Sequence, residues 1–185
     1  MISILFVQGG GAGTHDDWDN HLVDSLGRAL GAGYEIQYPR LPDEGDPQYA
    51  GWSTFLRAEL AALPGTAVLV AHSTGAAILA GTLAQHPPPQ RWGAVVLIAA
   101  PFVGPGGWPS AEFTLPADLG AKLPAGTPVH IFHGLADETV PPSHADLYAR
   151  AVPQARVHRL PGRDHQLTND LTEVAAAIRA AVGSR

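Results

Sequence analysis

The sequence predicts an α/β protein: a three-layer α/β/α sandwich around a six-stranded, mostly parallel sheet. Three observations carry this. Short apolar runs alternate with longer helix-like stretches along the 185 residues. The apolar runs are continuous rather than alternating, as strands covered on both faces require. No internal repeat or break in composition divides the chain, so one domain over residues 1–185 is expected.

Each element has its own signal. Ile2–Val7 reads as a buried strand ending in glycine. Asn20–Leu30 carries apolar residues at helical spacing, Leu22, Leu26, Ala29 and Leu30. Tyr34–Gln37 is a short strand closed by Pro39. Trp52–Leu63 is helical, with Phe55, Leu56, Leu60 and Leu63 on one side and Pro64-Gly65 as its stop. Ala67–Ala71 is a strand, and Thr74–Gln85 a helix rich in small residues that ends before Pro87-Pro88-Pro89. Ala94–Ala99 and Val129–Phe132 are strands, and Ser143–Ala151 is a helix. Ala155–Leu160 and Thr168–Val182 close the chain as strand and helix. Pro101–Pro124 breaks the rhythm. It has no clear period and carries seven Pro and Gly residues between Pro101 and Pro116; so long a connection in a compact domain is functional or disordered.

Composition excludes several classes. A formal charge of −6 gives no electrostatic reason to expect nucleic acid. The absence of cysteine rules out disulfides, thiolate metal sites and a cysteine nucleophile. No run approaches the ~18 apolar residues of a membrane span. Met1-Ile2-Ser3-Ile4-Leu5 enters an apolar segment with no basic stretch before it, so a cytoplasmic protein is expected, although a processed chain could begin in the same way. Lys122 is the only lysine, and Ala, Gly and Pro are abundant, a compositional hint of a GC-rich bacterial genome.

The strand Ala67–Ala71 runs into His72-Ser73-Thr74-Gly75 and then a helix. This is the context that gives meaning to a G-x-S-x-G turn, which pushes a nucleophilic serine out at the carboxyl end of a sheet. Gly75 meets the pattern, and Ala71 stands where its first glycine usually does. The turn also sets the serine at a helix N-terminus, where free N–H groups favour developing negative charge. On Ser73 alone, a helix-capping role is the simpler explanation. The preceding strand and the following glycine favour the nucleophile.

Over nearly its whole length the sequence resembles the α/β-hydrolase superfamily, whose triad runs nucleophile, acid, histidine in chain order. His133-Gly134-Leu135-Ala136-Asp137-Glu138-Thr139-Val140-Pro141 resembles that family's acid loop, and Leu160-Pro161-Gly162-Arg163-Asp164-His165 its histidine loop. The resemblance implies a catalytic set of Ser73, Asp137 and His165, with Glu138 as the alternative acid. One helix and one strand separate Asp137 from His165, the content of one crossover, so both emerge at the same sheet edge as Ser73. Asp164 adjoins His165 in sequence and reads as a loop residue. His72 reads as packed beside the turn, and His133 as support for the acid loop. His130 and His133 are three apart on a strand, point to opposite faces and make no metal pair; no metal and no cofactor are expected.

The loop Gln8-Gly9-Gly10-Gly11-Ala12-Gly13 follows the first strand, where the family often has His-Gly and supplies an oxyanion donor. Gly10, with Gly11 as the alternative, and Thr74 are the implied backbone donors. The run lacks the Gly-Lys-Ser/Thr ending of a phosphate loop and the G-x-G-x-x-G of a dinucleotide fold. The resemblance also implies the strand order 2-1-3-4-5-6, with a switch point between strands 1 and 3.

In its size, in Trp18 after the glycine loop and in Gly162-Arg163-Asp164-His165-Gln166, the chain is similar to small single-domain serine hydrolases of the YdeN and retinoblastoma-binding-protein type. These imply a minimal α/β-hydrolase fold, with residues 101–124 as a short lid-like segment over the site. Phe102, Val103, Trp108, Phe113 and Leu115 would form an apolar wall joined by Trp18 and Trp52, with Trp18, Phe102 and Trp108 as the substrate contacts. The expected activity is carboxylesterase-type cleavage of small apolar esters through an acyl-enzyme. An amidase, peptidase or lyase on the same site, and a non-catalytic interaction module on the same scaffold, are the alternatives. The partner expected is a small ester or amide; the natural substrate and the oligomeric state are not legible.

Overall fold

The computed structural model describes residues 1–183. The strands β1 (Ile2–Val7), β2 (Tyr34–Gln37), β3 (Val68–His72), β4 (Ala94–Ile98), β5 (Val129–Gly134) and β6 (Arg156–Leu160) form one sheet in the order β2-β1-β3-β4-β5-β6. All five pairings are parallel. The helices are α1 (Asp19–Leu30), α2 (Tyr49–Ala62), α3 (Ser73–Gln85), the short α4 (Leu119–Lys122), α5 (Ser143–Ala151) and α6 (Thr172–Gly183).

Period-two alternation divides the central strands between two cores. Leu5, Val7, Leu69, Ala71, Val95, Leu97, Val129 and Ile131 face one side, where Trp52 and Leu56 of α2, Leu79 and Leu83 of α3 and Tyr148 of α5 pack on them. Ile4, Phe6, Val68, Val70, Val96, Ile98 and Phe132 face the other, under Leu22 and Leu26 of α1 and Val174 and Ile178 of α6. Burial on both faces explains why these strands read as unbroken apolar runs. The edge strands differ. In β2, Tyr34 and Ile36 pack inward while Glu35 and Gln37 are exposed; in β6, Arg156 and Arg159 are exposed.

Most boundaries fall within a residue or two of expectation. At the end of the chain the helix begins at Thr172 rather than Thr168, because Leu167, Thr168 and Asn169 all have positive φ (49°, 54° and 53°) and form a separate tight turn. No helix among the described residues is long and apolar enough to cross a membrane.

Residues 101–124 are closed on themselves by backbone hydrogen bonds and fastened to Tyr49 at the start of α2. The Leu115 N–H donates to the Val103 carbonyl (2.8 Å), the Trp108 N–H to the Phe102 carbonyl (2.9 Å), and the Tyr49 N–H to the Glu112 carboxylate (2.5 Å). Phe113 stacks on Tyr49 with ring centroids 4.3 Å apart.

Candidate active site

A parallel sheet delivers every strand's carboxyl end to one edge. The loops after β1, β3, β5 and β6 meet there around a cleft of about 780 Å³. Ser73 is the first residue after β3 and has φ of +52°, a left-handed conformation that costs a serine energy. That turn holds its hydroxyl clear of the helix it begins. A β-carbon at Gly75 would collide with the Gln8 carbonyl oxygen, which is why the residue two past the serine has no side chain. Ala71 keeps its methyl inside the core, fully buried.

His165 Nε2 lies 2.9 Å from Ser73 Oγ, and His165 Nδ1 lies 2.8 Å from Asp137 Oδ2. A carboxylate accepts the Nδ1–H and leaves Nε2 free to accept from the serine hydroxyl. The other carboxylate oxygen, Asp137 Oδ1, accepts the N–H groups of Thr139 (2.9 Å) and Val140 (2.8 Å). His133 Nε2 lies 3.3 Å from Asp137 Oδ2 and donates to the Val140 carbonyl at 2.9 Å. Burial opposes the charge on Asp137, but hydrogen bonds from His133, His165 and Val140 outweigh it and hold the carboxyl well below the usual carboxylate range. Glu138 lines the cleft mouth and is exposed; it is Asp137 that reaches the His165 ring.

The glycine loop is held by two carboxyl groups and a backbone carbonyl. The Gly9 N–H donates to Asp19 Oδ2 at 2.7 Å, and the Gly11 N–H to the Glu44 carbonyl at 2.6 Å. Glu44 also accepts from the Gly13 and His15 N–H groups, both at 3.1 Å, and from Gln8 Nε2 at 2.6 Å. Gln8 Oε1 accepts the Leu41 N–H at 3.0 Å, so this buried side chain buttresses the loop where a histidine is common in the family. Gly9 and Gly11 are thus occupied, whereas the N–H groups of Gly10 and Thr74 have no hydrogen-bond partner among the described residues. These two residues are neighbours: a β-carbon on Gly10 would sit 3.4 Å from Thr74 Cβ.

The aromatic residues divide. Trp18 and Trp108 line the cleft with 58% and 39% of their surface exposed. Phe102 does not reach it. Its ring turns inward to meet Tyr148 edge-on at 5.2 Å, and its N–H donates to His144 Nδ1 at 2.8 Å. Phe102 as a substrate contact is therefore corrected: the chain turns at Ala99 (φ +48°) as it leaves β4, and burial claims the ring. Val103, Leu115 and Trp52 are likewise core, the Trp52 indole donating to the Pro42 carbonyl at 2.7 Å. Sequence reasoning missed Asp19 and Glu44. Asp19 stands among the aspartates at 16, 17 and 19, and nothing in the pattern marks which of the three is buried. No cluster of three or more His, Asp or Glu suited to a metal ion occurs among the described residues.

This sheet order, with a serine elbow on its third strand, is the α/β-hydrolase fold. Residues 4–170 match the family model described as serine hydrolase, and the chain belongs to that family. No curated protein matches the sequence. Among solved structures, the ydeN gene product from B. subtilis is similar at 16% identity and a TM-score of 0.78, covering 99% of this chain and 100% of its own. Est1E from Butyrivibrio proteoclasticus, solved with ferulic acid, is similar at 13% identity and a TM-score of 0.73, covering 100% of this chain and 89% of its own. XC6422 from Xanthomonas campestris, described as an α/β serine hydrolase without lid, is similar at 19% identity and a TM-score of 0.63, covering 99% and 81%. At these identities the likeness concerns the fold.

Proposed function

We propose that the protein is a carboxylesterase-type serine hydrolase that cleaves small, uncharged, largely apolar esters through an acyl-enzyme on Ser73. The observation that carries this reading is the chain of two hydrogen bonds from Ser73 through His165 to Asp137, 2.9 and 2.8 Å, at the floor of an open cleft.

Ser73 Oγ attacks the ester carbonyl carbon while its proton passes to His165 Nε2. Asp137 stabilises the imidazolium and keeps its ring in orientation. The carbonyl oxygen gains the electron pair and takes hydrogen bonds from the Gly10 and Thr74 N–H groups. The tetrahedral adduct collapses, the C–O bond breaks, and the alcohol leaves with the proton from His165. Water then repeats the sequence on the acyl-enzyme, with His165 again as base, and releases the acid. None of these steps calls for a cofactor.

Trp18 and Trp108 offer apolar surface to the substrate from opposite segments. Glu138 and Asp164 are the ionisable carboxylates of the lining, which includes no Lys or Arg. An ester is favoured over a charged acid derivative on that ground. A fluorophosphonate probe and a panel of p-nitrophenyl esters of increasing acyl length test the reading. Labelling and turnover are expected in the wild type and neither in Ser73→Ala. A folded wild type that neither labels nor hydrolyses would instead favour an interaction module on the same scaffold.

A further inference from the structure

A second His–Asp pair lies directly behind the first. Asp19 is fully buried and His72 is 2% exposed. His72 Nδ1 stands 2.9 Å from Asp19 Oδ1 and 3.0 Å from Oδ2, and His72 Nε2 stands 3.0 Å from the backbone carbonyl oxygen of His165. A carbonyl oxygen only accepts, so Nε2 must carry a proton. The two remaining contacts of Asp19 are both donors aimed at it: the Gly9 N–H at 2.7 Å on Oδ2, and the Gln166 amide Nε2 at 3.3 Å on Oδ1. Donors on both oxygens favour an ionised Asp19. Nδ1 must then donate as well, and His72 is an imidazolium with both nitrogens protonated.

Three loops converge on this pair. Gly9 precedes Gly10 in the glycine loop, His72 precedes Ser73 in the elbow, and His165 and Gln166 belong to the histidine loop. The packing leaves little slack, since a β-carbon on Gly9 would lie 3.2 Å from Ser73 Cβ and 3.3 Å from His72 Nδ1. The His72 and His165 rings are 4.9 Å apart.

We propose that Asp19 and His72 form a buried carboxylate–imidazolium pair that sets the glycine loop, the serine elbow and the histidine loop in register, and that both are positioning residues for the chemistry at Ser73. The proposal rests on the esterase reading of that site. Burial disfavours charge on both partners. Each outweighs it for the other: His72 is held above the usual histidine range, chiefly by Asp19, and Asp19 below the usual carboxylate range, chiefly by His72. An ion pair this deep adds little net stability compared with an apolar filling, so its use lies in fixing geometry. Because it acts through the Gly10 N–H and the His165 ring, its loss falls on the transition state rather than on substrate binding.

The test begins with wild-type turnover of p-nitrophenyl acetate that Ser73→Ala abolishes. Asp19→Asn and His72→Gln are then expected to lower kcat on the order of tenfold or more, with KM within about twofold. The double variant is expected to lose no more than the poorer single variant, because the two act as one unit. Nitrogen NMR of labelled histidine is expected to find both His72 ring nitrogens protonated at neutral pH in the wild type and one in Asp19→Asn. A singly protonated wild-type His72, or a folded Asp19→Asn with wild-type kcat, overturns the proposal. The NMR measurement needs no substrate, so it decides the pair even where a variant fails to fold or the wild type turns over no ester. Absence of Ser73-dependent turnover in the wild type counts against the esterase reading alone.

Discussion

Gly75 and Gln8 approach so closely that no β-carbon fits between the α3 backbone and the carbonyl of the glycine loop. The contact joins the elbow to the loop that carries Gly10, whose N–H has no partner among the described residues. Gly75→Ala is expected to push the two apart at a cost of about 1–3 kcal/mol, as overpacking does. Thermal unfolding should show a lowered Tm, and fluorophosphonate labelling of whatever remains folded should slow. An unchanged Tm would mean that the loop moves freely away from the helix.

Ser73 stores strain of its own. A left-handed φ of +52° is costly for a serine and free for glycine. Ser73→Gly should therefore be inactive and yet more stable, by about 1 kcal/mol, or ~2–4 °C in Tm for a chain of this size. Calorimetry of the two proteins measures this directly. A less stable Ser73→Gly would place the strain elsewhere.

The acid assignment separates two adjacent carboxylates. Asp137→Asn is expected to lower kcat by about 10³–10⁴-fold, because the His165 tautomer is no longer held. Glu138→Gln, at the exposed cleft mouth, should remain within a few-fold of wild type. Steady-state kinetics with the reverse ranking would move the role to Glu138.

Asp137 also links stability to pH. Its folded-state carboxyl titrates below the ordinary range, so the folded protein binds fewer protons than the unfolded chain in acid. The stabilisation is complete above the unfolded value of about 4 and is lost as pH falls through the folded value. Denaturant titrations across that window should show stability rising with pH in the wild type and a shallower slope in Asp137→Asn. Equal slopes would count against a depressed Asp137.

The lining of the cleft predicts a charge preference. With Glu138 and Asp164 at its mouth and neither Lys nor Arg among its lining residues, an ester bearing a free carboxylate should be turned over more slowly than a neutral ester of equal length. The expected deficit in kcat/KM is on the order of tenfold and should narrow as salt is raised. Glu138→Lys should shrink it, whereas a deficit that persists in Glu138→Lys would point to shape rather than charge.

Strand order and the set Ser73, Asp137 and His165 were legible through the resemblance of their loops to a family, and the shared edge through a local rule. A parallel crossover returns each strand's end to the same edge, whatever the helices between them contain. The cleft wall was not legible. Phe102 and Trp108 lie six positions apart in a segment without period, and only the turn at Ala99 and the pocket beside Tyr148 decide that one is core and the other wall. Gln8 stood out as a departure from a family pattern, but its partners Leu41 and Glu44 lie more than 30 residues away. Asp19 was hidden among aspartates of identical type. Burial alone separates them, and burial is a property of the assembled chain.

The six parallel strands also leave the protein with two unlike ends. Every residue assigned to the chemistry lies at the carboxyl edge, while Gly31–Gly33, Pro87–Pro89 and the turns before β5 and β6 gather at the other. That second edge is the place for attachment. A chain tethered to a support or fused to a carrier through the exposed triple-proline turn keeps its cleft facing outward, with substrate and product free to exchange.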